Sequence, residues 1–224
     1  MEMWTVFTVL LVATCFLASI PLGLLISRKA VRLDITKAGN GNIGAANVAH
    51  EVGLKWGSIT LLVDTLKGFI PVALAHCLLR SSAEIHGVLK VVVGLSALLG
   101  HQFPVYNRFK GGKGVATCLG VFLAISPLSC LFSGIIFFFL VSLWRHISLG
   151  SIVAALTMPI WLHLVGHSRF VILISLIVSL LITLLHRENI MRLIQGRERR
   201  WQKRELTAID QPDGPDPHQS KTLL

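Results

Sequence analysis

Seven apolar stretches, at about 4–26, 57–79, 85–100, 115–126, 128–144, 149–166 and 170–185, leave little of this chain free to build anything but helices in lipid. A helix needs roughly 20 apolar residues to cross the hydrocarbon core of a bilayer. The first two stretches reach that length; several others must borrow flanking residues, tilt or pack behind neighbours. The stretch 115–126 is the shortest, and because it ends at Pro127 it reads either as a span or as a half-helix that enters the membrane and turns back. Composition agrees: 53% of the residues are hydrophobic, 14% are charged and the mean hydropathy is +0.70, which excludes an ordinary soluble domain. The expected fold is an all-α integral membrane protein of about seven transmembrane helices.

The 21 Lys and Arg against 11 Asp and Glu give a net charge of +10. In a soluble protein such an excess points first to nucleic acid, whereas in a membrane protein cytoplasmic loops and anionic headgroups account for it. The distribution decides. The first stretch is too long for a signal peptide, has no basic region before it and is followed by Arg28, Lys29 and Arg32, which places the N-terminus outside. Threading seven spans from that start puts those three, Lys37, Lys55, Arg108, Lys110, Lys113, Arg145 and every basic residue from Arg187 onward in the cytoplasm. Only Arg80, Lys90 and Arg169 fall outside, with Lys67 inside a span, and the C-terminus lies inside. Anionic membrane lipids are thus expected partners and nucleic acid is not. Residues 1–206 read as one transmembrane domain whose end, 187–206, is a basic helix lying on the membrane surface; 207–224, rich in proline, reads as a disordered cytoplasmic tail.

Cys15, Cys77, Cys118 and Cys130 sit in apolar stretches with no metal-ligand or redox spacing and read as free packing residues. No histidine has metal-ligand company, and neither a G-x-S-x-G elbow nor a His-x-x-x-x-Asp acyltransferase box is present. No cofactor is expected.

The polar, glycine-rich blocks all fall on the cytoplasmic side. Gly39, Gly41 and Gly44 match G-x-G-x-x-G with Asp64 twenty residues beyond, but no strand precedes the motif and Asp64 lies in an apolar run, so a dinucleotide fold does not follow. What survives is a glycine loop ahead of a helix, whose amides can converge on an oxyanion, with Asn40, Asn42 and Asn47 as side-chain donors. A plain flexible loop is the alternative. In the second block Lys110 and Lys113 flank Gly111 and Gly112, Gly114 follows and an apolar helix starts at once, which makes an anion site without the Ser or Thr of a Walker A loop. Asp64 and Lys67, three apart in a span, are expected to pair, either as a structural brace or as part of the site. His186 and Asn189 begin the last polar block.

Together these blocks resemble the PlsY family of bacterial membrane acyltransferases. The resemblance rests on His101-Gln-Phe-Pro-Val with Phe109-Lys-Gly-Gly-Lys-Gly-Val-Ala-Thr117, on Asp64-Thr-Leu-Lys67-Gly68, and on His186-Arg-Glu-Asn-Ile190 followed by Arg192, Gly196 and Glu198. It implies seven spans with the N-terminus outside, and transfer of a fatty acyl group from acyl-phosphate to glycerol 3-phosphate at the inner face of the cell membrane, giving lysophosphatidate for phospholipid synthesis. It also implies a functional link to an enzyme that makes acyl-phosphate. By resemblance, Lys113, Asn189 and His186 are the catalytic group. Asn40, Gly41, Asn42, Gly44, Asn47, His50, Lys110, Gly111, Gly112, Gly114, Asp64 and Lys67 are the expected binding residues.

The first block departs from the family's usual pattern, with Asn40 for serine, Ile43 for proline, Ala46 for threonine and His50 for arginine. The serine and arginine positions hold acceptor phosphate in the family, and an imidazole lacks the charge and the planar fork of a guanidinium. Either Lys37 or Lys55 supplies the missing charge, or the acceptor is another polyol phosphate, or activity is lost. From another class, the Asp64–Lys67 pair suggests an anion or lipid-substrate transporter, though no internal repeat supports inverted halves.

Overall fold

The computed structural model describes residues 2–79 and 83–201, with the side chains of Glu2, Ala83 and Glu84 left out. Among these residues it is wholly helical outside turns, in ten α-helices. They are α1 (Glu2–Ala18), α2 (Leu22–Val31), α3 (Ala45–Glu51), α4 (Leu54–Leu78), α5 (Ala83–Gln102), α6 (Val115–Ile125), α7 (Pro127–Trp144), α8 (Ile147–Val165), α9 (Arg169–Leu185) and α10 (Arg187–Ile194).

Five segments are long and apolar enough to cross a membrane: 3–31, spanning α1 and α2, then α4, 85–107, α7 and α8. The pair α9 and α10, bent by 59° at His186, makes a sixth if taken as one span. Their outer faces carry side chains that water would not tolerate, such as Phe138 at 71% and Leu164 at 67% exposure. Lipid is the solvent those faces fit, and the chain is a multi-pass membrane protein. Two expectations change in detail. The first stretch is not one helix: it breaks at Ser19–Pro21, where Pro21 has no N–H to continue the ladder. The short stretch becomes α6, which at eleven residues is about 16 Å long, roughly half the hydrocarbon thickness.

Small residues let α6 sink between its neighbours. A Cβ on Gly120 would lie 1.9 Å from the Thr65 carbonyl oxygen of α4, and one on Gly68 would lie 2.1 Å from the Thr117 carbonyl oxygen of α6. This close approach is the packing that lipid-embedded helices rely on when hydrophobicity alone gives no preference. The main core then forms around Val91, Leu98, Cys118, Phe122, Met158, Leu162 and Ile182, from α5, α6, α8 and α9. All four cysteines are free; Cys118 and Cys130 are buried and Cys77 is exposed.

The segment between α2 and α4 has a core of its own, made by Leu24, Ile35, Ile43 and Val48. Burying four aliphatic side chains stabilises by roughly 1.5–3 kcal/mol each, which holds the glycine-rich loop in one shape. Ile43, one of the departures from the family pattern, is 3% exposed and belongs to this core. The basic helix expected over 187–206 is shorter: α10 ends at Ile194 and the chain turns at Gly196. Residues 202–206 and the expected tail lie outside the described residues.

Candidate active site

One cavity of about 740 Å3 gathers the polar blocks. The N-terminal ends of α4, α6 and α8, the end of α5, the junction of α9 with α10, the loop around α3 and residues 198–201 all contribute to its wall. Leu54, Leu61, Phe137 and Ile147 give it an apolar side; Asn40, Asn42, His50, Lys113, His186, Asn189, Arg192 and Arg199 give it a polar one.

The second glycine block puts a single lysine into this space. After α5 the chain folds back on the helix end: the Gly112 N–H donates to the His101 carbonyl at 3.2 Å, and Gln102 Nε2 donates to the Lys113 carbonyl at 3.2 Å. A Cβ on Gly112 would fall 2.2 Å from His101 Nε2, so only glycine lets the strand lie against the ring. Lys113 is thereby carried inward. Lys110, on the outer side of the same turn, is exposed and outside the cavity wall.

Lys113 Nζ donates to Asn189 Oδ1. That bond fixes the amide, because Asn189 Nδ2 then donates to Glu198 Oε1 at 2.5 Å. Glu198 also accepts from Ser148 Oγ at 2.6 Å and from Arg192 Nε at 2.9 Å. Burial works against the Glu198 charge, yet those donors hold its carboxyl below the usual carboxylate range. Burial also brings Lys113 down to about 8, with Glu198 partly opposing the shift. Next to them, His186 Nδ1 lies 2.8 Å from the Ile182 carbonyl, which can only accept. Nδ1 therefore carries the proton, and Nε2 is left with a lone pair.

The first glycine loop is organised differently. The Asn40 N–H donates to Asn47 Oδ1, Gly41 to the Ala38 carbonyl, Asn42 to Asn40 Oδ1 and Gly44 to Asn42 Oδ1. These four amides are spent within the loop, whereas Ala45 and Ala46, which open α3, line the cavity. Asn47, 3% exposed, donates Nδ2 to the carbonyls of Ala38 and Asn42 at 3.1 and 2.8 Å and ties the loop to α3. Its buried amide is a brace, not a donor free for a ligand.

Asp64 and Lys67 pair as expected, at 3.0 Å, with His101 Nδ1 3.6 Å from the same carboxylate oxygen. Lys67 Nζ also donates at 2.6 Å to the Ile20 carbonyl, at the break between α1 and α2. Asp64 and His101 reach the cavity wall; Lys67 does not.

At the mouth, Arg199 Nη1 donates to Glu51 Oε1 at 2.6 Å. The His50 ring meets the Trp201 ring edge-on, with centroids 5.1 Å apart. Burial and then the nearby Arg199 lower the His50 pKa, leaving the imidazole neutral at pH 7. Neither lysine expected to replace the missing charge is in place: Lys37 and Lys55 are absent from the cavity wall, and Lys55 Nζ sits over the Trp56 ring at 5.4 Å. Among the described residues no group of three or more His, Cys, Asp or Glu is placed to hold a metal ion.

The family described as glycerol-3-phosphate acyltransferase matches residues 8–196. Among relatives bearing that name, the protein of Geotalea daltonii is 46% identical over 190 residues, covering 85% of this chain and 95% of the relative. That of Desulfotalea psychrophila is 47% identical over 188 residues, covering 84% and 94%. The chain belongs to the glycerol-3-phosphate acyltransferase family. Two crystal structures of PlsY, described as an integral membrane glycerol 3-phosphate acyltransferase, superpose on it with TM-scores of 0.82 and 0.78 at 38% identity. They are a glycerol 3-phosphate form and a lysophosphatidic acid form, and each covers 88% of this chain and at least 95% of its own.

Within this acyltransferase fold, Asn40, Asn42, Gly44, Asn47, His50, Asp64, Lys113, Gly114, His186 and Asn189 line one cavity. Gly41, Lys67, Lys110, Gly111 and Gly112 stand behind or beside it. Sequence reasoning did not include Ser148, Arg192, Glu198 and Arg199 among the site residues. Arg192 and Glu198 were visible in the C-terminal block but, on an assumed surface helix, had no reason to point inward. Ser148 carried no signal, and Arg199 was hidden among neighbouring basic residues.

Proposed function

We propose that this acyltransferase moves a fatty acyl group from acyl-phosphate to a hydroxyl of glycerol 3-phosphate, at the cytoplasmic face of the cell (inner) membrane. The observation that carries the reading is the bond chain Lys113–Asn189–Glu198 set in a cavity with one apolar side, in a chain whose family bears this activity as its name. Lys113 and Asn189 bind the acceptor's phosphate, a dianion that a buried ammonium and a pinned amide suit. The apolar side, Leu61 and Phe137 among it, receives the first part of an acyl chain.

Acyl-phosphate is a mixed anhydride, so no acyl-enzyme is required. The acceptor hydroxyl oxygen bonds to the acyl carbon, the bond between that carbon and the phosphate oxygen breaks, and inorganic phosphate leaves. The hydroxyl donates its hydrogen bond to the His186 Nε2 lone pair, which turns the oxygen toward the acyl carbon, and as the new bond forms the proton is relayed from Nε2 to an oxygen of the leaving phosphate. Cation density from Lys113 stabilises the oxyanion that forms on the way. The charge asymmetry of the loops supports the cytoplasmic placement, and a functional link to an enzyme making acyl-phosphate follows from the substrate.

The transporter alternative rested on Asp64 and Lys67, and Lys67 is taken up in holding the α1–α2 break. Purified protein in detergent, given acyl-phosphate and labelled glycerol 3-phosphate, is expected to release lysophosphatidate and phosphate one for one without acyl-CoA. Formation of an ester with another polyol phosphate only would change the acceptor; no product from a folded protein would refute the reading.

A further inference from the structure

Three cations stand in the cavity wall: Lys113, Arg192 and Arg199. Two belong to one network, Lys113 through Asn189 and Arg192 through Glu198, with Glu188 a further 3.8 Å partner of Arg192. Arg199 stands apart. Its side chain is 52% exposed at the mouth and, among the described residues, donates one hydrogen bond, from Nη1 to Glu51.

Its backbone, by contrast, is fastened on both sides. The Trp201 N–H donates to the Arg145 carbonyl at 2.6 Å, the His146 ring lies 3.4 Å from the Arg199 carbonyl, and the Trp201 ring rests against His50. An anchored backbone carrying a side chain with spare N–H groups suits exchange of one anionic partner for another. Without Arg199, the α3 side of the cavity offers an incoming anion neutral groups, Asn40, Asn42 and the His50 imidazole, and the Glu51 carboxylate, but no cation. A planar guanidinium grips phosphate with two parallel bonds, and a dianion competes well against one carboxylate for it.

We infer that Arg199 binds the phosphate of the phosphorylated acceptor at the cavity mouth, giving up its ion pair with Glu51 and supplying the charge that position 50 lacks. The inference rests on the function proposed above for the same cavity. It makes Arg199 a specificity-determining residue, with Glu51 holding the guanidinium in place until substrate arrives.

The full chain in detergent serves for the test. Arg199→Gln is expected to raise KM for glycerol 3-phosphate by about 10- to 100-fold, the loss of a charge-assisted hydrogen bond. The kcat and the KM for acyl-phosphate should stay within about twofold. Adding His50→Arg should recover most of the lost KM, and Arg199→Lys should lose less than Arg199→Gln. An unchanged KM for glycerol 3-phosphate, an equal rise in both KM values, or no recovery with His50→Arg would overturn the inference. If Arg199→Gln does not fold, Glu51→Gln decides: freeing the guanidinium must lower KM for glycerol 3-phosphate, and an unchanged or higher value refutes the exchange. Should the wild type form no lysophosphatidate, the proposed function fails by itself. Titration of wild type and Arg199→Gln with inorganic phosphate then still judges Arg199, since equal affinities would refute its role.

Discussion

The two glycine-rich blocks look alike in sequence and do opposite things in the fold. In the block before α6, glycines bring the chain against His101 so that Lys113 is delivered into the cavity with its ammonium facing Asn189. In the block before α3, the amides and asparagines bond to one another, over a small core of Leu24, Ile35, Ile43 and Val48. One block presents a charge; the other builds a wall. Glycine in both serves close packing and tight turns, and what lies next to it decides whether the chemistry faces the cavity.

Lys113→Ala is the severest way to break that contrast. It removes the ammonium and leaves Asn189 Oδ1 without its donor, so kcat/KM should fall by about a thousandfold, in line with loss of a preorganised charge that holds the acceptor's phosphate and stabilises the oxyanion. The unfolding temperature of the variant should fall only modestly, because the orphaned, buried Asn189 Oδ1 costs about 1–3 kcal/mol while the desolvation cost of the ammonium is removed. A mutant retaining most of its activity would show that the second block is structural like the first.

Asn47→Ala strikes the other block. It strips the loop of one acceptor and of donors to two carbonyls, and the expected cost is about 2–3 kcal/mol of stability, read as a lower unfolding temperature. Residual activity in the folded fraction should survive, with altered KM. If turnover vanished while the unfolding temperature held, Asn47 would be a ligand and the first block an anion site after all.

The helices of this fold were legible because apolar length is a property that sequence displays directly. Even the shortest stretch was separable from its neighbour by Pro127, whereas its close packing on α4 through Gly120 depends on a tertiary contact that composition does not display. The site was legible in part. Lys113, His186 and Asn189 stand in short blocks where residue type and spacing carry the signal. Glu198 and Arg199 did not, because their inward position depends on a chain reversal after Ile194 that no apolar period announces. The partners of the first glycine loop were hidden for a related reason: whether an amide is free depends on which side chain caps it, and Asn40, Asn42 and Asn47 are as able to cap neighbours as to bind ligand.

A third test separates the walls by their response to pH. Burial leaves Lys113 with a pKa of about 8, so above that pH the free enzyme loses the ammonium and kcat/KM for a phosphate-bearing acceptor should fall by about tenfold per unit. Stability should move the other way over the interval from about 8 to 10.5. The unfolded lysine still holds the proton there while the folded one does not, and stability rises with pH wherever the unfolded state binds more protons. Unfolding therefore cannot explain the loss. In Glu198→Gln the nearby negative charge is gone, and the alkaline limb should shift to lower pH, with a weaker hold on Asn189 and Arg192.

The smallest effect is expected at His50, which stands where the family pattern has a phosphate-binding arginine. The ring touches Trp201 and is kept neutral by burial and by Arg199, so truncating it removes a contact, not a cation. His50→Ala should change KM for glycerol 3-phosphate by no more than about threefold and leave the pH profile centred where it was. An edge-on aromatic contact is worth about 0.5–1.5 kcal/mol, which sets the ceiling for any loosening of Trp201 and of the strap that carries Arg199. A larger loss confined to KM for glycerol 3-phosphate would mean that the imidazole itself grips phosphate, and the distinction between a charged wall and a structural one would give way at that residue.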